Sequence, residues 1–414
     1  MKLSDLQGKK IVIWGAGREG LAAAKWLREQ GYAFKIIDEA DQAPSTEKII
    51  HHSEDLNKAV DEADVVIKSP GVSLYHPLLM RNKARGLVVT SLLNLWCGES
   101  SNARIIAVTG TKGKSTTASL LHHVLLKLGK RSLLLGNIGV PVTEASQEDA
   151  DFVVVEVSSY QAANFDGMCE IGVMTSLFPE HLDWHGGEAQ YYKDKANLLA
   201  HSRCRILEPN AARQLDGLVD LAEATILSEE KIKTNNAYLD RAHNQSNVLA
   251  VLAVTDRLGL DRREALAAMK DFEGLPHRQQ ELGSINGILY VDDSISTTPQ
   301  SAIAALETYK DSDVTLIAGG HDRGVDFMPL VTYIADKKIR GVVCMGENGG
   351  RLYEALRCAG FERTERATSM KDAVTKAQKM TLYGGVILLS PAASSYDMFK
   401  DYIARAAAFA DAVE

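Results

Sequence analysis

The stretch Ile105-Ile-Ala-Val-Thr-Gly-Thr-Lys-Gly-Lys-Ser-Thr-Thr-Ala-Ser-Leu-Leu121 decides how the rest of this 414-residue chain is read. Ile105 to Thr109 are apolar or β-branched and suit a short buried strand. Gly110-Thr-Lys-Gly-Lys-Ser-Thr116 follows as a tight loop, and Thr117 to Leu128 has helical spacing. Strand, glycine loop, Lys-Ser/Thr and helix together build a phosphate cradle. Gly110 and Gly113 let backbone N–H groups close on a polyphosphate, Thr111 sits between them, and the helix N-terminus adds partial positive charge. Lys114 can reach terminal phosphates, and Ser115 or Thr116 can hold Mg²⁺. The strict pattern has Gly where this chain has Val108, so the motif is a shortened variant. The competing reading, an ordinary strand–helix turn, leaves the joint placement of Gly, Gly-Lys and Ser/Thr unexplained.

Upstream, Lys10 to Asp38 reads as a complete β-loop-α-β unit. Ile11–Trp14 is a strand, Gly15-Ala-Gly-Arg-Glu-Gly20 matches GxGxxG, Leu21–Gln30 is helical, and Phe34–Ile37 is a second strand ending at Asp38. Alone, this fingerprint says NAD binding. Physically it certifies a turn that can approach a diphosphate, and a nucleotide sugar carries one too. Asp64–Ile67 is a further strand, and Lys68-Ser-Pro-Gly-Val72 then falls at the carboxyl edge of the same sheet, where ligands bind in such folds. The stretch from Gly86 to Asn102 reads as a link to the phosphate-loop block.

Downstream, Ser132–Leu135 is a strand, followed by the glycine-flanked loop Gly136-Asn-Ile-Gly139. Asp151–Glu156 is a strand ending in a carboxylate, followed by Val157-Ser-Ser-Tyr-Gln161. Such a carboxylate beside a phosphate loop is well placed for Mg²⁺, although a solvated strand-end charge looks the same in sequence. Gly172–Leu177 reads as the next strand. In the loop after it His181, Asp183 and His185 alternate, as metal ligands or as plain surface residues. Tyr191-Tyr-Lys-Asp-Lys-Ala-Asn197 opens a helix with two candidate lysines, Lys193 and Lys195. Asn244 and Asn247 stand at the start of the apolar helix Val248–Leu258, where they either cap it or face a base. Gly274-Leu-Pro-His-Arg278 reads as a hinge. A third αβ run follows, with strands at Ile288–Val291, Val314–Ile317, Gly341–Cys344 and Val386–Leu389. Three α/β blocks in series is the organisation.

The totals agree. At roughly 100–200 residues per domain, the length allows two to four domains. Hydrophobic residues make up 45% and charged residues 24%, which is ordinary for a globular chain. A net charge of −8 argues against general nucleic-acid binding. The five cysteines (Cys97, Cys169, Cys204, Cys344, Cys358) have no CxxC spacing and read as reduced, core-packing thiols. The N-terminus lacks a signal-peptide apolar region, and no apolar run approaches the ~20 residues of a membrane helix. The expectation is a cytoplasmic monomer without membrane or nucleic-acid partners.

At this point the chain resembles the Mur ligase family, which makes peptide bonds on the bacterial cell-wall precursor. The resemblance covers essentially the whole chain. It rests on ordered motifs: Gly110-Thr-Lys-Gly-Lys-Ser-Thr, Gly136-Asn-Ile-Gly, Glu156-Val-Ser-Ser-Tyr-Gln, Glu180-His-Leu-Asp, His243-Asn-Gln-Ser-Asn, Gly274-Leu-Pro-His-Arg, Asp293-Ser with Thr297, and Leu389-Ser-Pro-Ala-Ala-Ser-Ser-Tyr-Asp-Met-Phe399. The N-terminal GxGxxG unit and the two Ser-Pro loops look like the branch that adds D-glutamate to UDP-N-acetylmuramoyl-L-alanine. The resemblance implies three α/β domains: a Rossmann-like UDP-binding domain (1–92), a central ATPase domain with a mostly parallel sheet (93–274) and a Rossmann-like amino-acid-binding domain (275–414). The last would swing about the hinge near Gly274.

It also implies ATP, two Mg²⁺ ions and an acyl-phosphate intermediate. Lys114, Ser115 and Thr116 would hold phosphates and one Mg²⁺, while Glu156 and His181 would share the second. One carbamylated lysine would organise the metal; spacing assigns it to Lys195, with Lys193 as fallback. Asn244 and Asn247 would flank adenine, His277 and Arg278 would meet ribose and phosphates, and Asp293 would face the nucleotide. Gly15, Ala16, Gly17, Arg18, Asp38, Ser69 and Gly71 would hold the uridine diphosphate. Asn137 and Ser158 would touch the sugar-peptide part. Arg323, Ser395 and Tyr402 would receive glutamate.

Two positions depart from the pattern of the D-glutamate branch. Ile295 stands where many members have Lys, and Arg323 replaces a common Lys. Arg binds a carboxylate bidentately where Lys acts as a point charge, so the pocket geometry changes. L-glutamate is therefore the alternative substrate, followed by another step of the same family. An NAD-dependent dehydrogenase leaves the phosphate loop, Glu156 and His181 without purpose. A non-catalytic nucleotide-binding regulator has no need of Glu156, His181, Lys195 and Asp293 together. Folylpolyglutamate synthase begins close to its phosphate loop, whereas here Met1–Arg104 precede it with their own Rossmann-like unit.

Overall fold

In the computed structural model of the chain, the described residues are 1–39, 48–99, 103–138, 140–144, 150–322, 324–337 and 339–413. They form two compact units, Met1–Glu273 and Gly274–Glu414. The architecture is α/β, with three mostly parallel sheets.

The first sheet contains β1 (Ile11–Trp14), β2 (Phe34–Ile37), β3 (Ile49–Ile50), β4 (Val65–Lys68) and β5 (Val88–Thr90), in the order β3-β2-β1-β4-β5. All its pairings are parallel. Every residue of β1 and β4 is buried, as continuous apolar runs in a parallel sheet require. The strand order switches sides at the β1–β4 pair, so a crevice opens beyond their carboxyl ends, where Gly15 and Ser69 lie. The stretch read as a link is largely structure: β5 pairs with β4 (Val65 with Val88), and helix Leu92–Gly98 buries Leu92, Leu93, Leu95 and Trp96. Its polar flanks and short apolar runs hid a docked edge strand.

The second sheet contains β6 (Arg104–Thr109), β7 (Ser132–Gly136), β8 (Phe152–Glu156), β9 (Cys169–Met174), β10 (Ser202–Leu207) and β11 (Thr225–Ile226). Its order is β11-β10-β9-β6-β8-β7, all parallel. β6 lies between β8 and β9, so the carboxyl ends of three strands converge on the glycine loop. The helix after that loop begins at Lys114, three residues before the sequence expectation, because Gly113 at φ 88° caps it and lets it wind at once. β9 ends at Met174 rather than Leu177, because Thr175 turns aside to donate to the Lys112 carbonyl at 2.6 Å. One core runs through both sheets: Ile13, Leu27 and Ile67 share it with Ala107, Leu135, Val153 and Val155. Each Ile, Leu or Val side chain among them contributes about 1.5–3 kcal/mol by leaving water.

The second unit holds β12 (Gln280–Ile285), β13 (Ile288–Asp292), β14 (Val314–Ala318), β15 (Gly341–Cys344), β16 (Thr364–Arg366) and β17 (Val386–Leu389), in the order β12-β13-β17-β14-β15-β16. Only the β12–β13 pair is antiparallel. Its hairpin turns on Asn286 and Gly287, at φ 52° and 77°, the left-handed pair that a tight hairpin demands. β12 escaped the sequence reading because five of its six residues are exposed and it lacks apolar alternation.

The cysteines are free: Cys169 and Cys344 are buried, but Cys358 is exposed at the end of its helix and does not pack the core. Among the described residues, no helix is long and apolar enough to cross a membrane.

Gly20 tests the first crevice. A Cβ there would lie 1.8 Å from the Gly15 carbonyl oxygen and 2.9 Å from Ser69 Oγ. Gly20→Ala should destabilise the protein by about 1–3 kcal/mol, read as a lowered urea midpoint. An unchanged midpoint would refute this packing.

Candidate active site

The glycine loop after β6 is closed by its neighbours. Thr111 N–H donates to the Ser176 carbonyl at 2.6 Å, and Lys112 N–H donates to Ser176 Oγ at 2.8 Å. Thr111 Oγ1 lies 2.7 Å from Tyr191 OH and donates to the Phe178 carbonyl at 2.9 Å. Gly110 stands at φ 146°, and a Cβ there would come within 2.0 Å of Thr175 Oγ1. At Gly113 a Cβ would come within 2.5 Å of Asn247 Oδ1. Both glycines are thus required by close approach. Beyond Gly113, the first-turn amides of helix Lys114–Lys127 present the partial positive end that suits phosphate. Lys114 Nζ rests on the Thr111 carbonyl at 3.0 Å, on the loop itself.

Lys195 is 1% exposed, and its Nζ donates to the Gly110 carbonyl at 2.7 Å. Burial, reinforced by the nearby Lys114 charge, pushes its amine well below the usual lysine range. Lys193, two residues earlier on helix Glu188–Ala200, is exposed. Glu156, at the end of β8, is 1% exposed. Asn137 Nδ2 donates to its Oε1 at 2.8 Å, while its Oε2 is buried without a hydrogen-bond partner. A buried, unsatisfied carboxylate oxygen beside a phosphate loop is the kind of atom a divalent cation satisfies. His181 adopts a left-handed conformation, φ 57°, and its ring packs 5.0 Å from that of Tyr160. Burial, with the nearby Lys114 charge, lowers its pKa against the opposing pull of Glu180, favouring the neutral imidazole that ligates metals. His185 is buried and engaged elsewhere, so the alternating His181-Asp183-His185 run does not act as one cluster. Among the described residues, no three His, Cys, Asp or Glu side chains form a preassembled metal site. The residues fit a cation that also draws ligands from phosphate and from Ser115 or Thr116.

Asn244 and Asn247 are both buried and neither caps its helix. Thr117 Oγ1 donates to Asn247 Oδ1 at 3.1 Å, Asn247 Nδ2 donates to Asn244 Oδ1 at 3.0 Å, and Asn244 Nδ2 donates to the Tyr238 carbonyl at 2.9 Å. This chain ties helix Gln245–Arg257 to the phosphate-loop helix. Ser158 caps helix Ser159–Ala162 in a capping box with Gln161.

At the first sheet, Gly15 takes φ 102°, where a Cβ would meet Ser69 Cβ at 2.6 Å. Ser69 Oγ donates to the Gly15 carbonyl at 3.0 Å, and Ala16 N–H donates to Asp38 Oδ2 at 2.5 Å. Gly17 opens helix Arg18–Glu29, whose first residue is Arg18. Trp184, from the second sheet's loops, donates through Nε1 to the Gly71 carbonyl at 3.2 Å. Lys68 is 2% exposed, and burial pulls its amine down to about 8.

In the second unit, His277, at φ 60°, places Nδ1 2.7 Å from Asp292 Oδ2 and its ring 5.9 Å from that of Tyr402. Asp293 accepts from Gln279 N–H and from the Ser296 and Ser390 hydroxyls. Arg278 Nε is buried without a partner. Ser395 is buried in the loop after β17. Arg405 NH1 donates to the Ala393 carbonyl at 3.0 Å and NH2 to the Ser294 carbonyl at 2.8 Å, tying the two loops together. Arg323 and Gly139 lie outside the described residues.

The glycine loop, Lys114 and Lys195 thus meet past the carboxyl end of β6, with Glu156 and Asn137 paired at the neighbouring end of β8 and His181 in the loop after β9. The sequence reading missed Tyr191, Thr175 and Lys68. Lys68 and Tyr191 fall inside stretches it named, but only the packing of helix and strand ends shows that Tyr191 and Thr175 reach the glycine loop.

A parallel α/β sheet with a glycine loop at its carboxyl edge defines a nucleotide-binding protein. Residues 9–91 match the Mur ligase MurD-like N-terminal domain, 108–214 the Mur ligase middle domain, and 277–393 the Mur ligase glutamate ligase domain. UDP-N-acetylmuramoyl-L-alanine--L-glutamate ligase of Micromonospora sp. is 37% identical, covering 100% of this chain and 98% of that protein. The protein of the same name from Xanthomonas euvesicatoria pv. vesicatoria is 36% identical, covering 99% and 96%. Among solved structures, UDP-N-acetylmuramate-alanine ligase MurC from Thermotoga maritima shares the fold at TM-score 0.59 and 19% identity, covering 97% of this chain and 98% of that one. The chain belongs to the Mur ligase family and is MurD-like. It is an ATP-dependent, amide-bond-forming ligase of peptidoglycan precursor synthesis.

Asp293 supplies a pH test. It is 2% exposed, and burial lifts its pKa from 3.8 to about 6 despite three donors. The folded state therefore binds more protons than the unfolded state between those values. Stability from the protonated form is complete below pH 3.8 and is lost as pH rises through about 6. Relative to Asp293→Asn, the wild type should lose on the order of 2–3 kcal/mol across that window, read from paired denaturant midpoints. A constant difference would refute it.

Proposed function

We propose that this ligase joins L-glutamate to UDP-N-acetylmuramoyl-L-alanine, using ATP and Mg²⁺. The observation that carries the reading is full-length similarity to relatives bearing that name. The departures at Ile295 and Arg323 weaken the D-enantiomer reading that the wider family pattern implied.

In the first step an oxygen of the alanyl carboxylate attacks the γ-phosphorus of ATP, and the bond from γ-phosphorus to the β,γ-bridging oxygen breaks, releasing ADP. The glutamate nitrogen then attacks the acyl-phosphate carbonyl. Collapse of the tetrahedral intermediate expels phosphate, and the nitrogen loses its proton. Gly110, Thr111, Gly113 and Lys114 hold the phosphates. Asn244 and Asn247 border the adenine. His277, Arg278 and Asp293 serve the nucleotide from the carboxy-terminal unit. Gly15, Ala16, Gly17, Arg18, Asp38, Ser69 and Gly71 hold the uridine diphosphate; Asn137 and Ser158 serve the sugar-peptide part. Arg323, Ser395 and Tyr402 receive glutamate. Ser115, Thr116, Glu156, His181 and a carbamylated Lys195 would hold Mg²⁺, which supplies charge neutralisation at the transferring phosphoryl group.

The lowered pKa of Lys195 supports carbamylation, because the neutral amine is the form that attacks CO₂. With ¹³C-bicarbonate, the wild type and Lys193→Ala should show a carbamate carbon resonance that Lys195→Ala lacks. A signal surviving in Lys195→Ala would move the assignment.

Phosphate release with UDP-N-acetylmuramoyl-L-alanine should proceed with L-glutamate and be slower by on the order of 10²-fold or more with D-glutamate. Preference for D-glutamate would reverse the stereochemical assignment. Turnover with neither would remove glutamate as the substrate.

A further inference from the structure

Helix Glu188–Ala200 carries a second buried ionisable residue beside Lys195. Asp194 is 3% exposed. Its Oδ2 lies 2.5 Å from His185 Nδ1, and its Oδ1 accepts from Tyr75 OH at 2.5 Å and from Gln190 Nε2 at 2.7 Å. His185, 1% exposed, places Nε2 3.1 Å from Ser159 Oγ. The carboxylate can only accept, so the proton on the Asp194 side is assigned to His185 Nδ1, and Nε2 pairs with the Ser159 hydroxyl. The order Ser159–His185–Asp194 has the connectivity of a hydrolytic triad. Yet the serine is buried, and the chain continues through Asp194 to Tyr75 rather than ending at an open nucleophile.

The two ends of this chain belong to different sheets. Tyr75 follows the Ser69–Gly71 loop of the first sheet. Ser159 follows Glu156 and Ser158 at the end of β8 in the second. Trp184 and Ser73 make a parallel link: Ser73 Oγ donates to the Trp184 carbonyl at 3.0 Å, and the Trp184 ring stands 4.6 Å from Tyr160 and 4.5 Å from His185. Both loops would grip one substrate molecule, the first at its diphosphate and the second near its reacting carboxylate. Fixing their separation is what brings a carboxylate into line with a phosphoryl group.

We propose that His185 is a positioning residue: through Ser159 on one side and Asp194–Tyr75 on the other, it sets the loop bearing Glu156 relative to the loop that holds the nucleotide end of the substrate. The inference rests on the proposed function and deepens it. Tyr75→Phe and Ser159→Ala remove the two ends of the chain.

In steady-state assays with UDP-N-acetylmuramoyl-L-alanine, L-glutamate and ATP, each variant should lower kcat/KM for the UDP substrate by about tenfold, within the range for members of one network. KM for ATP should stay within about twofold of wild type, where experimental scatter lies. The double variant should be no worse than the weaker single, because both cut the same chain. In a His185→Ala background, which removes the link between the two sides, Tyr75→Phe should have no further effect. Multiplying losses, or an equal rise in KM for ATP, would overturn the inference while leaving the ligase reading intact. A wild type inactive with either glutamate enantiomer would overturn both.

Discussion

The Lys195 amine on the Gly110 carbonyl is the contact around which this site is built. It takes a charge-bearing side chain to almost complete burial and aims it at the backbone of the phosphate loop. That is tolerable only if the amine gives up its proton readily, and burial and the nearby Lys114 both push it that way. The same contact fixes helix Glu188–Ala200 against the loop, and Tyr191 one turn earlier adds its hydroxyl to Thr111. Gly110 has no room for a Cβ because Thr175 closes on its other side. A loop squeezed between two strands and a helix cannot reorganise cheaply, and preorganisation of this kind is what phosphoryl transfer needs from a protein.

A second constraint is the parallel sheet itself. Parallel strands put all their carboxyl ends on one edge, so any side chain just past a strand end is delivered there. Glu156 at the end of β8, Gly110 after β6 and Thr175 after β9 fall on one edge for this reason, as do Gly15 and Ser69 on the first sheet. The shared core between these two sheets extends the effect, because it lets Trp184 reach the Gly71 carbonyl and Asp194 reach Tyr75. Buried polar groups carry those links, so each must be satisfied; the chain from Ser159 to Tyr75 leaves none of its linking atoms without a partner.

Much of this was legible in the sequence. Strands β1, β15 and β17 begin and end where their apolar runs do, since a buried parallel strand writes itself as an unbroken apolar segment. Glycines at Gly15, Gly110 and Gly113 announced loops with left-handed backbone, and the order of motifs announced the family. Illegible were the edge strand β5, the exposed β12, the exposure of Cys358 and the different fates of His181 and His185. Each depends on what packs alongside, and alternation in a loop does not tell a half-exposed ring from a buried one.

By itself, then, the sequence determined local backbone and residue chemistry: which segments are strands, where a phosphate could be cradled, and which carboxylate, imidazole and amine were available. The tertiary structure alone decided that Lys195 is buried while Lys193 is exposed, that Glu156 keeps one oxygen unsatisfied, and that Asp194 reaches across to Tyr75. The reason is range. Dihedral preference and periodicity act over a few residues, whereas desolvation and hydrogen-bond partnership are set by strand order, which joins residues more than a hundred positions apart.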